Sequence, residues 1–430
     1  MQARLLSGMR GSGSGKLQPG MLVMLKFYTT RFWLAVLAVL GLTGVAGMTT
    51  GCGFFPKITT CTTNCTTASN FMYVANTASA GTAAGSVAGF SLTTKTTAAT
   101  STTPATSTLS LAVTPNSAYS LGFVPSAIAI TPTNTFIYAA SQTTGIFLYS
   151  VGSNGALTEE NNSTAVASDL ASSMQVDSTG SWLIVADASL ASSNAIINVY
   201  SIASTTGLLT LSGTLNGVKV AGASRQLFIA PNNVNVFLTL STGGTESLTL
   251  NATTGALTDQ ANLPPITTPN ADLGVTTDPN STFVFVTETG ASAVRVLTIG
   301  TNGALTNVSG SPFATGGTGP AAVLVDSSGS YVYVANSTSN TVSGFVLAAN
   351  GTLTAISGSP FATGAGPSGL AEDSTKTYLG VVCNGGGSDL EVYSFDATTL
   401  GKLDAAGNAT TGTDPTLPIA IVASKAVSST

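Results

Sequence analysis

Short runs in which apolar residues alternate with small or polar ones recur along the chain from Phe71 onward. The clearest copy, residues 331–345, reads YVYVANSTSNTVSGF and contains two β-type runs, YVYVA and TVSGF. Val, Tyr and Phe in such alternation favour strands, and the Ser, Thr and Asn residues between the runs favour a turn. The pattern therefore predicts an array of β-hairpins.

The strand that matches YVYVA occurs seven times, at spacings of 65, 46, 54, 47, 48 and 47 residues. A period near 45–50 residues with only strand and turn signals is typical of a β-propeller. Each unit reads as four strands, so we predict an all-β, seven-bladed β-propeller of four-stranded antiparallel blades over residues 71–430. The copies begin at Phe71, Phe136, Trp182, Val236, Phe283, Tyr331 and Tyr378.

The two ends of the repeat array are complementary. Phe71 opens the first copy at its second strand, with no innermost strand before it. Residues 415–424, PTLPIAIVAS, resemble the innermost strand PSAIAI that begins at Pro125. We therefore expect the C-terminal strand to complete blade one, which closes the ring and removes its sheet edges.

Polar residues at fixed points of the repeat indicate turns. Asn-Gly pairs at 154–155, 302–303 and 350–351 provide the positive φ that hairpins require. Four aspartates stand just before second strands, where an Asp side chain initiates a tight turn by accepting backbone N–H groups. This turn role explains the four aspartates better than a metal or catalytic ring does; they are Asp177, Asp278, Asp326 and Asp373.

Composition removes several functions from consideration. Only 7% of the 430 residues are charged, and the net charge is -5 with no cluster of basic residues in the repeat region. A nucleic-acid surface needs such cations, so we expect no nucleic-acid partner. The chain has no histidine, which excludes Ser-His-Asp and Cys-His catalysis and histidine-ligated zinc. We predict neither a metal site nor another cofactor.

The N-terminal region has the features of an export signal. Lys26 and Arg31 precede an apolar run of about 14 residues at 32–45, too short to span a bilayer. The following residues 49–52, TTGC, resemble the lipobox of bacterial lipoproteins, whose cysteine becomes acylated. We expect residues 1–51 to be a signal region, with Met24 as an alternative start, and Cys52 to be the lipidated residue. Gly53 after Cys52 resembles the sorting pattern for the outer membrane, so the expected location is the cell envelope.

Residues 52–70 form a Thr-rich tether in this interpretation. Export permits a disulfide between Cys61 and Cys65. Cys383 lies near a strand end and is expected to be a buried or half-buried free thiol. The expected partners are the membrane, through the lipid anchor, and a protein or glycan at the propeller face; the protein is expected to be a monomer.

The repeat, together with NGTL and two copies of SGSPFATG at Ser309 and Ser357, resembles the YVTN-repeat and lactonase-type seven-bladed propellers. The resemblance covers about residues 71–424. It implies enzymes that open or form lactones, including 6-phosphogluconolactone, in a funnel lined by Arg, Glu and His. Their innermost strands often begin with Pro-Arg-His; here only Arg225 matches the arginine and no position has the histidine.

Four charged residues in blades four and five are candidates for a residual site: Arg225, Glu246, Glu288 and Arg295. Two Arg and two Glu could bind an anionic or sugar ligand, and a Glu of raised pKa could act as a general base. The same residues could instead form ion pairs that keep a weakly charged protein soluble. The missing histidine favours a non-catalytic, lipid-anchored binding scaffold, and the alternative is a lactonase-like hydrolase that works through Arg and Glu alone.

Overall fold

A computed structural model of the chain describes residues 70–77, 84–97, 106–187, 194–259, 271–411 and 417–426. The predicted signal region, Cys52, and the Cys61–Cys65 pair lie outside these residues and stay predictions. Within the described part no helix is both long enough and apolar enough to cross a membrane.

The described strands form seven antiparallel sheets, each with four main strands, as the repeat predicts. We number the blades in chain order. The strands of blades 1 to 3 are β1 (Phe71–Thr77), β2 (Ser86–Thr97), β3 (Thr106–Val113), β4 (Tyr119–Ser120) and β31 (Leu417–Ala423) in blade 1; β5 (Pro125–Ile130), β6 (Phe136–Ser141), β7 (Gly145–Val151) and β8 (Leu157–Glu159) in blade 2; and β9 (Ala171–Val176), β10 (Trp182–Asp187), β11 (Asn194–Ile202) and β12 (Leu209–Ala221) in blade 3.

The remaining blades repeat the same order from an innermost to an outer strand. Their strands are β13 (Leu227–Ile229), β14 (Asn235–Thr239), β15 (Thr245–Leu250) and β16 (Leu257–Asp259) in blade 4; β17 (Asp272–Thr277), β18 (Phe283–Glu288), β19 (Ala293–Ile299), β20 (Leu305–Asn307) and β21 (Phe313–Ala314) in blade 5; β22 (Pro320–Val325), β23 (Tyr331–Asn336), β24 (Thr341–Leu347), β25 (Leu353–Ala355) and β26 (Phe361–Ala362) in blade 6; and β27 (Pro367–Glu372), β28 (Tyr378–Cys383), β29 (Leu390–Phe395) and β30 (Leu403–Ala409) in blade 7. The short 3₁₀ helices are Asn161–Ser163, Thr289–Ala291 and Thr301–Gly303.

The C-terminal strand closes the ring, as predicted. β31 pairs antiparallel with β1, from Met72 opposite Ala423 to Thr77 opposite Leu417. At the end of this pairing the Phe71 N–H donates to Ser424 Oγ over 2.9 Å, and the Ser424 N–H donates to the Phe71 carbonyl over 2.8 Å. The innermost strand of blade 1 therefore comes from the opposite end of the chain.

Apolar cores lie between the blades. The buried apolar side chains of the described residues form seven clusters, and each cluster joins two neighbouring blades. No blade has a core of its own, because a single four-stranded sheet has two apolar faces and must bury both. The boundary between blades 4 and 5 has the smallest cluster, built around Phe237, Val275 and Val286.

Tyrosines of the second strands also connect blades 1, 2 and 6 to the blade that follows each of them. Tyr333 Oη donates to the Gly401 carbonyl over 2.8 Å, and Tyr138 Oη donates to the Gly207 carbonyl over 2.7 Å. The glycine at 401 has φ +80°, and a Cβ there would lie 2.4 Å from the ring of Tyr331. A glycine is therefore required in this turn for two reasons, the positive φ and the close approach of an aromatic ring from the preceding blade.

The four aligned aspartates have the turn role that their position predicts. Asp326 Oδ1 accepts the N–H groups of Ser330 and Tyr331 over 2.9 and 2.7 Å. Asp177, Asp278 and Asp373 make equivalent bonds. We call this side of the ring the Asp-turn face, and the opposite side, where the innermost strands begin, the strand-start face.

Cys383 is a buried free thiol at the end of β28, as expected. Burial, with a smaller contribution from the negative charge of Glu391, raises the pKa of the thiol to about 12. It is therefore a poor nucleophile at neutral pH.

Candidate functional site

A cavity of about 430 Å³ runs along the axis of the ring, and the innermost strands of all seven blades contribute to its lining. Arg225 lies two residues before the innermost strand of blade 4, so its exposed side chain lies at the strand-start end of the cavity. Lys425 follows β31 and lies at the Asp-turn end. These are the charged residues of the described lining, so the cavity has a cation at each end and no carboxylate along it.

A second group of polar side chains lies between blades 4 and 5 at the strand-start face. Asp272 is the first residue of β17, and it stands opposite Glu288, the last residue of β18. Arg295 projects from β19 on the same side of the sheet. Thr245, the first residue of β15 in blade 4, donates its hydroxyl to Asp272 Oδ2 over 2.6 Å. We call Thr245, Asp272, Glu288 and Arg295 the Asp272 cluster.

The cluster holds two carboxyl groups and one guanidinium out of water. Asp272 and Glu288 are each 1% exposed, whereas 14% of the Arg295 side chain is exposed. Arg295 Nη2 forms an ion pair with Glu288 Oε1. Burial raises the pKa of Asp272 to about 6, and the negative charge of Glu288 adds to the rise; the Thr245 hydrogen bond and the positive charge of Arg295 oppose it. Asp272 thus changes protonation close to neutral pH, as a general base should.

Two atoms of the cluster retain hydrogen-bonding capacity. Asp272 Oδ1 and Arg295 Nε have no hydrogen-bond partner among the described residues, although both are buried. Most buried polar atoms in proteins are paired, so such exceptions need an explanation. Asp272 Oδ1 is an acceptor whose proton affinity depends on its surroundings. Arg295 Nε is a donor on a group that stays positively charged. Together they could activate a water molecule and polarise a carbonyl oxygen.

Backbone and side-chain contacts connect the cluster to the axial cavity. The Arg225 N–H donates to the Thr239 carbonyl over 2.8 Å, and Thr239 Oγ1 donates to the Leu273 carbonyl over 2.6 Å. Leu273 lines the cavity and directly follows Asp272. The backbone of Asp272 is therefore adjacent to a residue that lines the cavity, although none of the four side chains of the Asp272 cluster belongs to the lining.

The four residues singled out from the sequence have three different positions. Glu288 and Arg295 are ion-paired, and Arg225 lies on the axial cavity. Glu246 is completely buried and stands opposite Leu238, whose side chain belongs to the core between blades 3 and 4. Because side chains alternate along β15, Thr245 faces blade 5 whereas Glu246 faces blade 3. Glu246 is therefore separated from the Asp272 cluster by its own sheet.

Sequence reasoning missed Asp272 and Thr245. A signal for Asp272 was present, because the innermost strands of blades 2, 3, 6 and 7 begin with Pro or Ala where β17 begins with Asp. Nothing in the sequence distinguishes Thr245, since threonine is common in strands throughout this chain. Among the described residues, no group of three or more His, Cys, Asp or Glu side chains is arranged to bind a metal ion.

A family model described as "Lactonase, 7-bladed beta-propeller" matches residues 65–225 and 275–419, together more than half of the chain. The unmatched stretch between them contains all four strands of blade 4 and the first residues of β17, including Asp272. No match to a curated protein was found.

Solved structures share the fold at low sequence identity. The periplasmic gluconolactonase of Pseudomonas aeruginosa is 16% identical, with a TM-score of 0.61 over 84% of this chain and 100% of that one. A candidate 6-phosphogluconolactonase of Bacteroides uniformis is also 16% identical, with a TM-score of 0.61 over 83% and 100% of the two chains. A protein of Lactobacillus plantarum is 18% identical, with a TM-score of 0.60 over 83% and 99%.

The family match corrects one expectation from the sequence. The absence of histidine favoured a non-catalytic binding scaffold, and that interpretation is wrong because the matching family is one of lactonases. The match supports the alternative, a lactonase-like hydrolase. The error arose from treating histidine as indispensable, although buried carboxylates can take over proton transfer when their pKa is raised.

Proposed function

This chain belongs to the lactonase family of seven-bladed β-propellers, and from that premise we propose that it hydrolyses lactones at the Asp272 cluster. The observation that carries the proposal is the buried pair of Asp272 Oδ1 and Arg295 Nε, an acceptor and a cationic donor without partners among the described residues. A lactonase requires these two functions, proton removal from water and stabilisation of the carbonyl oxygen.

The reaction assigns a role to each residue of the cluster. Asp272 accepts a proton from water as the water oxygen attacks the lactone carbonyl carbon. The Arg295 Nε–H donates to the carbonyl oxygen while negative charge develops on it. The ring C–O bond then breaks, the ring oxygen takes the proton from Asp272, and the product is a hydroxycarboxylic acid that releases its own proton to solvent. Histidine is not required at any step.

The other residues position these two groups. Glu288 holds the Arg295 guanidinium by the ion pair, and Thr245 holds one carboxylate oxygen of Asp272, which leaves the other oxygen for water. In this proposal Arg225, which lies at the end of the axial cavity, binds the carboxylate as the ring opens. Arg295, with 14% of its side chain exposed, is the most exposed residue of the cluster, and in this proposal substrate approaches the cluster past it.

The test is proton release from a panel of γ- and δ-lactones, including glucono-δ-lactone and 6-phosphogluconolactone, by the purified full-length protein. We expect Asp272→Asn to lower kcat by roughly 10²–10⁴-fold, and Arg295→Gln to lower it by roughly 10²–10³-fold. Glu159→Gln, an exposed carboxyl on the outer strand of blade 2, and Lys95→Gln, an exposed cation on β2, are matched charge controls and should behave like the unmodified protein. Full activity of the folded Asp272→Asn variant would refute the assignment of the base.

A further inference from the structure

The Asp272 cluster lies inside the boundary between blades 4 and 5. Asp272 and Glu288 are each 1% exposed, and 14% of the Arg295 side chain is exposed. The proposed reaction needs water and a lactone in contact with Asp272 Oδ1, which is buried. Whether the cluster can react therefore depends on how easily the two blades separate.

The apolar core of this boundary is the smallest of the seven that the described residues form. It contains seven buried residues, against thirteen between blades 3 and 4 and ten between blades 5 and 6. Apolar burial is the dominant contribution that opposes the separation of packed sheets. Regions with few buried apolar contacts open at a lower free energy than the rest of a protein, so this boundary should open more easily than its two neighbours.

An aromatic contact that five other boundaries share is replaced at this one. At each of the five, the residue that begins a second strand places its aromatic ring against a positive-φ glycine in the next blade. The five pairs are Phe71 with Gly155, Phe136 with Gly207, Trp182 with Gly255, Phe283 with Gly351, and Tyr331 with Gly401. Blade 4 has Asn235 at this position, and the corresponding glycine of blade 5, Gly303, faces Asn235 and Ser247. Small polar side chains thus stand where the other boundaries have a large apolar contact.

The remaining contacts between blades 4 and 5 include hydrogen bonds that water can replace. Ser247 Oγ donates to the Gly303 carbonyl over 2.7 Å, and the Val275 N–H donates to Gln226 Oε1 over 3.0 Å. When the blades separate, water takes the place of each partner, so the net contribution of such a bond to closure is small.

We infer that blades 4 and 5 separate transiently along this boundary, and that the separation admits water and lactone to the Asp272 cluster. The separation follows from the contacts between the blades, whereas its role as an entrance rests on the lactone hydrolysis proposed above. Asn235 and Ser247 both lie within residues 226–274, which the family model does not match. The features that weaken this boundary therefore lie where the chain departs from the family model.

Amide hydrogen exchange of the full-length protein, resolved to single residues, tests the separation. Two buried N–H groups make the same kind of bond at neighbouring boundaries. Val275 donates to Gln226 Oε1 between blades 4 and 5, and Ile229 donates to Gln175 Oε1 over 2.8 Å between blades 3 and 4. After correction for intrinsic rates, Val275 should exchange roughly tenfold faster or more. Equal rates, or slower exchange at Val275, would overturn the inference.

A restored aromatic ring tests whether the separation is the entrance. Asn235→Phe places a ring against Gly303, as at the other boundaries, and should slow exchange at Val275 by roughly tenfold or more. The value of kcat/KM should fall by a similar factor for the lactone on which the unmodified protein is most active. The acid limb of the pH profile should stay in place, because the groups around Asp272 are unchanged. Slower exchange with unchanged kcat/KM would show that substrate enters elsewhere.

Two further variants complete the test. Tyr331→Asn makes the reverse change between blades 6 and 7, and it should keep both the Val275 exchange rate and the kcat/KM of the unmodified protein. Ser247→Ala removes the bond to the Gly303 carbonyl and should speed exchange at Val275 by roughly 2–10-fold. It keeps the inference open to refutation if Asn235→Phe does not fold, since an unchanged rate would contradict it.

Exchange and hydrolysis fail independently of each other. If Val275 exchanges as slowly as Ile229 while lactones are hydrolysed, the separation of the blades is refuted and the proposed function stands. If Val275 exchanges fast but no lactone is hydrolysed, the proposed function fails and the separation stands without its role as an entrance.

Discussion

Asp272 shows how one residue can acquire a special property from two neighbouring blades. Its backbone belongs to blade 5, one carboxylate oxygen is held by Thr245 of blade 4, and Glu288 and Arg295 set the local charge. Burial and the negative charge of Glu288 favour the protonated form of Asp272. The Thr245 hydroxyl and the Arg295 guanidinium favour the ionised form. The balance leaves the pKa of Asp272 at about 6.

Replacement of Thr245 should shift this balance in a measurable direction. Thr245→Val removes a hydrogen bond to the ionised carboxylate, so the pKa of Asp272 should rise, and the acid limb of the kcat/KM profile should move up by roughly one pH unit. Thr245→Ser keeps the hydroxyl and should keep the limb in place. A uniform loss of activity at every pH, with the limb unmoved, would indicate that Thr245 has only a structural role.

Asp272 should also make the free energy of unfolding depend on pH. Its pKa is higher in the folded protein, about 6 against 3.8, so the folded state binds the proton more tightly. The stabilisation is complete below about pH 4 and is lost as the pH rises through 6, by about 3 kcal/mol. Denaturant unfolding at pH 4 to 7.5 should show this slope for the unmodified protein relative to Asp272→Asn, and parallel curves for the two proteins would contradict it.

At the scale of the element, the second strand of each blade both fills the core and binds the next blade. In blades 1, 2 and 6 the third residue of this strand is a tyrosine, and its hydroxyl donates to a glycine carbonyl in the following blade, as Tyr333 does to Gly401. The first aromatic residue of the strand covers the same glycine turn. The aromatic residues and the glycines of the repeat are therefore parts of one contact between blades, although they are far apart in the sequence.

Removing one of these hydroxyls should weaken a blade boundary without disturbing its packing. Tyr333→Phe leaves the buried Gly401 carbonyl without its partner and should lower the free energy of unfolding by roughly 1–3 kcal/mol. Tyr331→Phe, on the same strand, removes a hydroxyl that makes no hydrogen bond to the described residues and should cost less. The two variants are compared by chemical denaturation, and equal stabilities would mean that the Tyr333 bond contributes nothing net.

At the scale of the whole molecule, stability depends on the ring being closed. Each apolar cluster lies between two blades, so loss of one innermost strand exposes clusters on both of its sides. β31 contributes Ile419 to the cluster between blades 1 and 2, and Ile421 to the cluster between blades 1 and 7.

A chain that ends after Thr413 lacks β31 and should aggregate or become protease-sensitive. It leaves β1 with an unpaired edge and opens both neighbouring cores. A chain that ends after Ala426 keeps β31 and should behave like the full-length protein. Limited proteolysis and thermal melting distinguish the two, and a melting curve for the shorter chain that matches full length would show that the ring does not need this strand.

Local chemistry explains why the sequence alone was enough for the architecture. Alternating runs, Asn-Gly turns and turn aspartates act within a few residues of each other, and six of the seven second strands begin at the residue that the repeat predicts. In blade 4 the strand begins at Asn235 instead of Val236. The closing strand could also be predicted from the sequence, because PTLPIAIVAS has the pattern of an innermost strand and the first repeat lacks such a strand.

Which charged residues meet depends on how the blades pack against each other. Alternation along β15 puts Glu246 and Thr245 on opposite faces of a sheet, and the identity of each facing blade depends on ring closure. The sequence gives no sign of the raised pKa of Asp272, which comes from burial and from the negative charge of Glu288 on the neighbouring strand. Strand formation depends on the pattern of neighbouring residues in the sequence. The proton affinity of a carboxyl group depends on its burial and on its distance from other charges, and both are established only when the blades pack.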